Sequence, residues 1–508
     1  MNKLKILFVH PNASEIIYQD LSKKHSAIEP PIWAAMLANH CRNKNISAEI
    51  LDCEAEALTT DQSAQVISEA NPDIACLVVY GQQPSASSQN MEGAVATSKA
   101  IKRINPSIKT VFIGGHVSAL PIETLTKEDS IDMVCQNEGV YAISNLCLVE
   151  DLNDDSLVRQ VKGLAWKNSD GLVVLNSPEK IVPKNMLQSD LPGMAWDLLP
   201  DISKYRTSGW HSWPNDTVKS PFASIYTSLG CPYTCSFCMI NIINRTDPGP
   251  NIASADSNIF RWWSPEFVIN ELDKIAEMGV KNLKIADELF VLNPNHFMKI
   301  CELIIERKYD FNIWAYSRVD TCKPKYLDTL RRAGVNWLAL GIENPDQTLR
   351  QEVHKGSFKD VKILDLINTV RSSGINISAN FIFGLPIDTQ ESMQNTLNFA
   401  IDINPEMANF YCAMAYPGSP LHLQARNNNW ELPDRYAGYS QHSYHTQNLR
   451  NDNLSASEIL KFRDEAWLKF HTNEKYLNLL ERKFGKAAKN NVQDSSKIKL
   501  KRKLLENK

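Results

Sequence analysis

No stretch of this 508-residue sequence approaches the ~18 consecutive apolar residues of a membrane-spanning helix. No membrane segment is therefore expected. An excess of charge of one sign is also lacking. The 54 lysines and arginines nearly balance 58 acids, for a net charge of −4, so no nucleic-acid partner is expected. The basic end (Lys497, Lys499, Lys501, Arg502, Lys503) reads as a solvated, frayed tail. The apolar run after Met1 is too short for a signal peptide and lacks a small-residue cleavage site, so it reads as a first β-strand of a cytoplasmic protein. No G-x-G-x-x-G joins that strand to a helix, which counts against dinucleotide binding. No internal repeat is visible.

What is present is ordinary globular composition, 43% hydrophobic and 22% charged. A single core stops growing near ~250–300 residues, so two or three domains are expected. Residues 1–149 alternate apolar runs (5–9, 48–51, 74–80, 110–113, 133–134) with helical stretches (34–42, 93–104). That order predicts a doubly wound, Rossmann-like parallel sheet, which binds ligands at the carboxyl ends of its strands. Residues 150–220 hold Pro183, Pro192, Pro200 and Pro214 and read as a linker, with a small hairpin around Asp170-Gly171. Trp196, Trp210 and Trp213 fall there and read as packing residues.

Within 221–420, strand candidates at 223–227, 282–286, 312–316, 337–341, 378–383 and 407–414 alternate with helices at 265–278, 295–306, 325–332, 359–373 and 390–403. Right-handed crossovers make such a series a partial (β/α)6 TIM-like barrel. Residues 421–508 form a mostly helical segment, with a helix expected over 455–484.

Of eleven cysteines, eight are scattered among apolar neighbours and read as small buried hydrophobes. Cys231, Cys235 and Cys238 cluster instead, in Gly230-Cys231-Pro232-Tyr233-Thr234-Cys235-Ser236-Phe237-Cys238, just after the first strand of the second α/β unit. A reducing cytosol makes metal chemistry a better reading than disulfides. One compact loop can offer three thiolates to a 4Fe-4S cluster and leave one iron open. Structural zinc is the alternative, but it asks for a fourth ligand, and none is obvious nearby.

The spacing, with aromatic Phe237 before the last cysteine, resembles the radical S-adenosylmethionine superfamily. The resemblance implies that S-adenosyl-L-methionine chelates the open iron and that the reduced cluster cleaves it to a 5′-deoxyadenosyl radical. Later strand ends carry further likenesses. Asp287 and Glu288 fall where the family places an acid near the methionine ammonium, a charge-assisted acceptor. Ser317-Arg318 offers a carboxylate clamp, Gly341-Ile342-Glu343-Asn344 resembles the family's Gly-Ile-Glu-Ser, and Gly384 leaves room for the adenine.

The first unit ends strands in Gly114-Gly115-His116 and Asn137-Glu138-Gly139, which resembles the cobalamin-binding domains fused ahead of radical enzymes. Paired glycines admit a close backbone approach to a large ligand. Asp-x-His-x-x-Gly is absent, and His10 reads as a structural strand-end residue. The resemblance places the cobalt's lower face toward the loop from Tyr80 to Ser88, with Tyr80 and Ser85 as contacts.

The implied enzyme is a cobalamin-dependent radical methyltransferase, using methylcobalamin to methylate an unactivated carbon of a small-molecule, secondary-metabolite or cell-envelope substrate. A flavodoxin or ferredoxin would donate electrons. A non-methylating cyclase or rearrangement enzyme, a methylthiotransferase with a second cluster, and a cobalamin-binding sensor or scaffold remain alternatives. Trp262-Trp263 and His442-Ser443-Tyr444-His445 are candidate pocket residues that read more simply as packing or surface.

Overall fold

A computed structural model describes residues 4–81, 86–213, 218–246, 257–355 and 363–506. Its first sheet holds β1 (Ile6–His10), β2 (Ala48–Asp52), β3 (Ile74–Val78), β4 (Lys109–Ile113), β5 (Met133–Cys135), β6 (Leu164–Lys167) and β7 (Val173–Leu175), in the order β2-β1-β3-β4-β5-β6-β7. The first five strands pair in parallel. Strands β1 and β3 are buried throughout, as their unbroken apolar sequences require of central strands covered on both faces.

Ile6, Phe8, Cys76 and Val78 face one side, with the helix Ile32–Asn43. Leu7, Val9, Ala75 and Leu77 face the other, with Thr60–Ala70 and Ala86–Ile104. This is the doubly wound arrangement, and the chain reverses direction across the sheet between β1 and β3, where such folds place their ligands. The hairpin expected within the linker instead extends this sheet: β6 pairs antiparallel with β5 and β7 with β6. Its apolar Leu164, Ala165 and Trp166 are buried, a burial that a free linker would not provide.

The later strands are β8 (Phe222–Ile225), β9 (Ser228–Gly230), β10 (Phe260–Trp262), β11 (Asn282–Ile285), β12 (Asn312–Arg318), β13 (Val335–Glu343), β14 (Asn376–Phe383) and β15 (Met407–Cys412). Six form an open parallel sheet in the order β15-β14-β13-β12-β11-β8, the partial barrel the sequence predicts. Strands β9 and β10 make an additional antiparallel pair that the hydrophobic pattern does not reveal, because three-residue strands carry too little periodicity.

Two of the linker tryptophans, Trp210 and Trp213, pack on barrel strands β12 and β13. Trp210 meets Trp314 and Trp337 edge-on at 4.7 and 5.0 Å, and His211 Nε2 lies 3.0 Å from the Asn312 carbonyl. Asparagines continue the seam: Asn336 Nδ2 donates to Asn312 Oδ1 (3.0 Å) and Asn312 Nδ2 to Asn282 Oδ1 (2.9 Å).

The single helix expected over 455–484 is instead Ala456–His471 followed by Glu474–Ser496, the latter kinked at Gly485. Ser455 and Asn473 cap their starts. The basic tail is docked, not frayed. Arg502 is 4% exposed, chelates Asp464 with two bonds of 2.9 Å, and donates to the Ser443 carbonyl and Thr446 hydroxyl at 3.1 and 2.9 Å. Among the described residues no helix is long and apolar enough to cross a membrane.

Candidate active site

A cavity of about 590 Å³ lies between the carboxyl ends of the two sheets. His10, Tyr80 and Gly81 reach it from the β1 and β3 ends; Cys231, Glu288, Arg318 and Glu343 reach it from the barrel. All three clustered cysteines line it, and none of the eleven is in a disulfide.

Local structure explains the cysteine loop. Gly230 ends β9 at φ +87°, and a Cβ there would run into the Ile259 carbonyl, so only glycine makes this turn. Asn241 then braces the loop from both sides: its Oδ1 accepts from the Cys231 amide at 3.2 Å, and its Nδ2 donates to the Cys231 carbonyl at 2.9 Å. The Ser236 amide donates to the Val353 carbonyl at 3.0 Å, and the Leu421 amide to the Ser236 carbonyl at 3.0 Å. Among the described residues no three His, Cys, Asp or Glu side chains converge as single-ion ligands. Structural zinc needs such convergence, whereas a four-iron cluster takes its thiolates at separate corners.

Burial pushes the Cys231 thiol up to about 12 and Cys238 further up. These thiols ionise only against a strong positive charge, which bound metal supplies. Asp287 is committed: it accepts from the Thr227 amide, the Thr227 hydroxyl and the Ser228 hydroxyl, each at 2.6 Å. Burial raises it to about 6 despite those bonds. Glu288 is different. Its Oε2 is buried without a partner, and burial, helped by neighbouring Asp287, lifts it to about 8.

Arg318, proposed from sequence as a carboxylate clamp, is already engaged. It holds Asp320 through Nε (2.8 Å) and Nη2 (2.9 Å), donates to the Lys355 carbonyl, and lies 3.7 Å over the Tyr233 ring. Glu343, at φ +61°, pairs with Lys355 at 2.6 Å. Phe237 lines the cavity beneath that lysine, whose Nζ is 5.7 Å from the ring. Ser317 also lines it, its hydroxyl donating to the Arg318 carbonyl at 3.0 Å.

On the other wall, Tyr80 stacks on Trp33 at 4.4 Å and donates to the Asn137 carbonyl at 3.1 Å. Ser85 lies outside the described residues. Gly114, Gly115, His116, Glu138, Gly139 and Gly384 do not line the cavity. Gly114 packs on Val79 and Gly139 on Ile113. His116 lies 2.9 Å from the Ser88 hydroxyl and edge-on to Tyr436. Glu138 is in a buried ion pair with Arg261 at 2.7 Å. A Cβ on Gly384 would meet Ile459, on helix Ala456–His471, at 2.7 Å. Trp263 packs, with Nε1 on the Leu191 carbonyl at 3.0 Å, whereas His442 does line the cavity.

The family model described as "Radical SAM superfamily" matches residues 225–400, and that of the "B12 binding domain" matches 21–147. The chain is a cobalamin-binding-domain-containing radical S-adenosylmethionine enzyme. An uncharacterized methyltransferase, PH0819, of Pyrococcus horikoshii is 27% identical over 94% of both chains. The anaerobic magnesium-protoporphyrin IX monomethyl ester cyclase of Cereibacter sphaeroides is 25% identical over 90% of this chain and 68% of its own. The solved cobalamin-dependent radical enzyme OxsB, with aqua-cobalamin and S-adenosylmethionine bound, shares the fold at TM-score 0.69 and 16% identity, covering 98% of this chain and 71% of that one.

The cofactors of this radical enzyme are therefore a 4Fe-4S cluster, S-adenosylmethionine and cobalamin. The residues present fit them: three thiols on one braced loop, an orphan carboxylate oxygen beside them, and a first-sheet mouth open at the switch point. Over Gly115, the place of a Cβ is taken only by the flexible tip of Met239, 2.6 Å away.

Sequence reasoning missed Asn241, Arg261 and the Glu29–Lys284 pair (3.1 Å) that crosses from the first unit into the barrel. A lone asparagine ten residues past the first cysteine, or charges 255 residues apart, carry no local signal.

Proposed function

We propose that this enzyme methylates an unactivated carbon of a small-molecule substrate, with Cys231, Cys235 and Cys238 holding the cluster. The supporting observation is that these three thiols and the switch-point mouth of the first sheet open into one cavity. When bound, the cluster and S-adenosylmethionine supply a 5′-deoxyadenosyl radical, and cobalamin supplies the methyl group.

The chain's own residues position and shield. Glu288 offers its unpartnered oxygen to the methionine ammonium, while Asp287 tethers Thr227 and Ser228 and so fixes the strand leading to the cysteines. Phe237, Ser317 and Glu343 line the same end, and Arg318, held by Asp320, backs it with a fixed positive charge. Tyr80 and Ser85 would contact cobalamin from the β3 loop. Gly114, Gly115, His116, Glu138 and Gly139 would support the wall behind, with Gly384 packed on Ile459 beside the adenine.

We assign 1–149 to cobalamin, 150–220 to a linker that includes the β6–β7 edge, 221–420 to the radical core and 421–508 to the pocket's outer wall. A flavodoxin- or ferredoxin-like donor in the cytoplasm would reduce the cluster, and no nucleic-acid partner is proposed.

Reduced, reconstituted enzyme incubated with methyl-labelled S-adenosylmethionine and small-molecule extract tests this reading. Label in a carbon-bound methyl of a product supports it. The similarity to a cyclase favours one other outcome: 5′-deoxyadenosine formation with an unlabelled, rearranged product, which would replace methyl transfer.

A further inference from the structure

The cysteine loop carries two aromatic side chains, and a cation stands over each. Arg318 lies 3.7 Å over the Tyr233 ring, and Lys355 Nζ lies 5.7 Å over that of Phe237. All four side chains line the barrel end of the cavity. The backbone of Lys355 is fixed beside the loop. The Ser236 amide, next to Cys235, donates to the Val353 carbonyl at 3.0 Å, and the Lys355 amide donates to the Arg350 carbonyl at 3.0 Å. Arg318 donates to the Lys355 carbonyl, which ties the two cations together.

Lys355 is 8% exposed, and its Nζ meets Glu343 Oε1 at 2.6 Å. Gly341 makes room for this pair: a Cβ there would lie 2.7 Å from Glu343 Oε1 and 2.8 Å from Lys355 Nζ. Burial works against the ammonium, but Glu343 and then Cys235 hold Lys355 above the ordinary lysine value. It is therefore charged at neutral pH. Desolvation offsets most of what a buried ion pair gains, so the pair adds little stability of its own. A charge beside a cluster has another effect. Reduction adds one electron to a group already bound by three thiolates, and positive charge nearby, in surroundings of low dielectric, favours the added negative charge.

Resting on the reading that Cys231, Cys235 and Cys238 hold the cluster, we propose that Lys355 sets the cluster's reduction potential. Its charge stabilises the reduced state that a flavodoxin- or ferredoxin-like donor must reach, and Glu343 limits the effect as the counter-charge. The two members of the pair then act in opposite directions, which a packing role would not produce.

Redox titration of the reconstituted holoenzyme, followed by electron paramagnetic resonance, tests this. S-adenosylmethionine is left out so that its carboxylate cannot contribute. Lys355→Met should lower the ratio of reduced to oxidised cluster about tenfold at a fixed potential, a midpoint about 59 mV more negative for a one-electron couple. Glu343→Gln should move the midpoint the other way. Lys355→Arg should hold it near the wild-type value, and the double variant Glu343→Gln, Lys355→Met should fall between the two single ones. Unchanged midpoints in both single variants, or shifts of the same sign, overturn the proposal. If Lys355→Met takes up no cluster, Glu343→Gln decides alone, and a midpoint that does not rise overturns it. So does weaker S-adenosylmethionine binding by Lys355→Met at an unchanged midpoint, which would assign the lysine to that carboxylate. Iron content of the wild type, about four per chain, tests the cluster reading separately: its absence defeats that reading whatever the variants do.

Discussion

Glu138 sits in a motif that resembles a cobalamin-binding signature, yet the structure gives it other work. Its side chain is 1% exposed and that of Arg261 is 3% exposed. The guanidinium donates to its two oxygens at 2.7 and 3.3 Å, and the Val182 amide donates to it as well. Arg261 lies on β10, the partner of the strand that runs into Gly230 and Cys231. Glu138→Ala would leave a buried guanidinium with only the Val182 carbonyl and Asn244 Oδ1. Stranding one member of a buried pair costs about 3–5 kcal/mol. We expect a lower urea midpoint by circular dichroism for cofactor-free protein, with cluster and cobalamin contents falling together. Glu138→Leu combined with Arg261→Met should recover most of the loss, since apolar replacement of a buried pair is often close to neutral. An unchanged urea midpoint with selective loss of cobalamin would refute the structural role and restore Glu138 as a cofactor contact.

Asn241→Ala removes both braces on Cys231 and should cost about 1–3 kcal/mol, with iron content after reconstitution reduced more than in a distant surface variant. Burial keeps Glu288 protonated in the unloaded protein up to about pH 8. A cationic ligand needs its ionised form, so S-adenosylmethionine affinity by equilibrium dialysis should rise from pH 6 through 8, and Glu288→Gln should flatten that rise. Arg502→Met frees the tail from Asp464 and the 443–446 loop. Asp464 keeps Arg463 at 2.8 Å, so the cost should be about 1–3 kcal/mol, seen as faster proteolysis after residue 497 and a lower urea midpoint.

Most of the fold was legible because its signals are local. The six barrel strands (β8 and β11 to β15), and the first five of the other sheet, announce themselves as apolar runs separated by helical periods. The cysteine loop was legible because its chemistry lies within eight residues. The ends of β11, β12 and β13 placed Glu288, Arg318 and Glu343 on the cavity as their positions implied, although Arg318 was already held by a neighbour two residues away. What was not legible depends on contacts distant in sequence. The close packing of Val79, Ile113 and Ile459 on Gly114, Gly139 and Gly384 is one such case. The basic tail looks solvated until Asp464, 38 residues earlier, is seen to bind Arg502.

The central claim is that Cys231, Cys235 and Cys238 hold the radical-generating cluster. Iron analysis and 5′-deoxyadenosine formation, measured on reduced, reconstituted wild type and on the triple Cys→Ala variant, test it most directly. About four irons per chain and 5′-deoxyadenosine in the wild type, with both lost in the variant, are the predicted result. Retention of iron and of S-adenosylmethionine cleavage in the variant would contradict it, as would about eight irons per chain in the wild type.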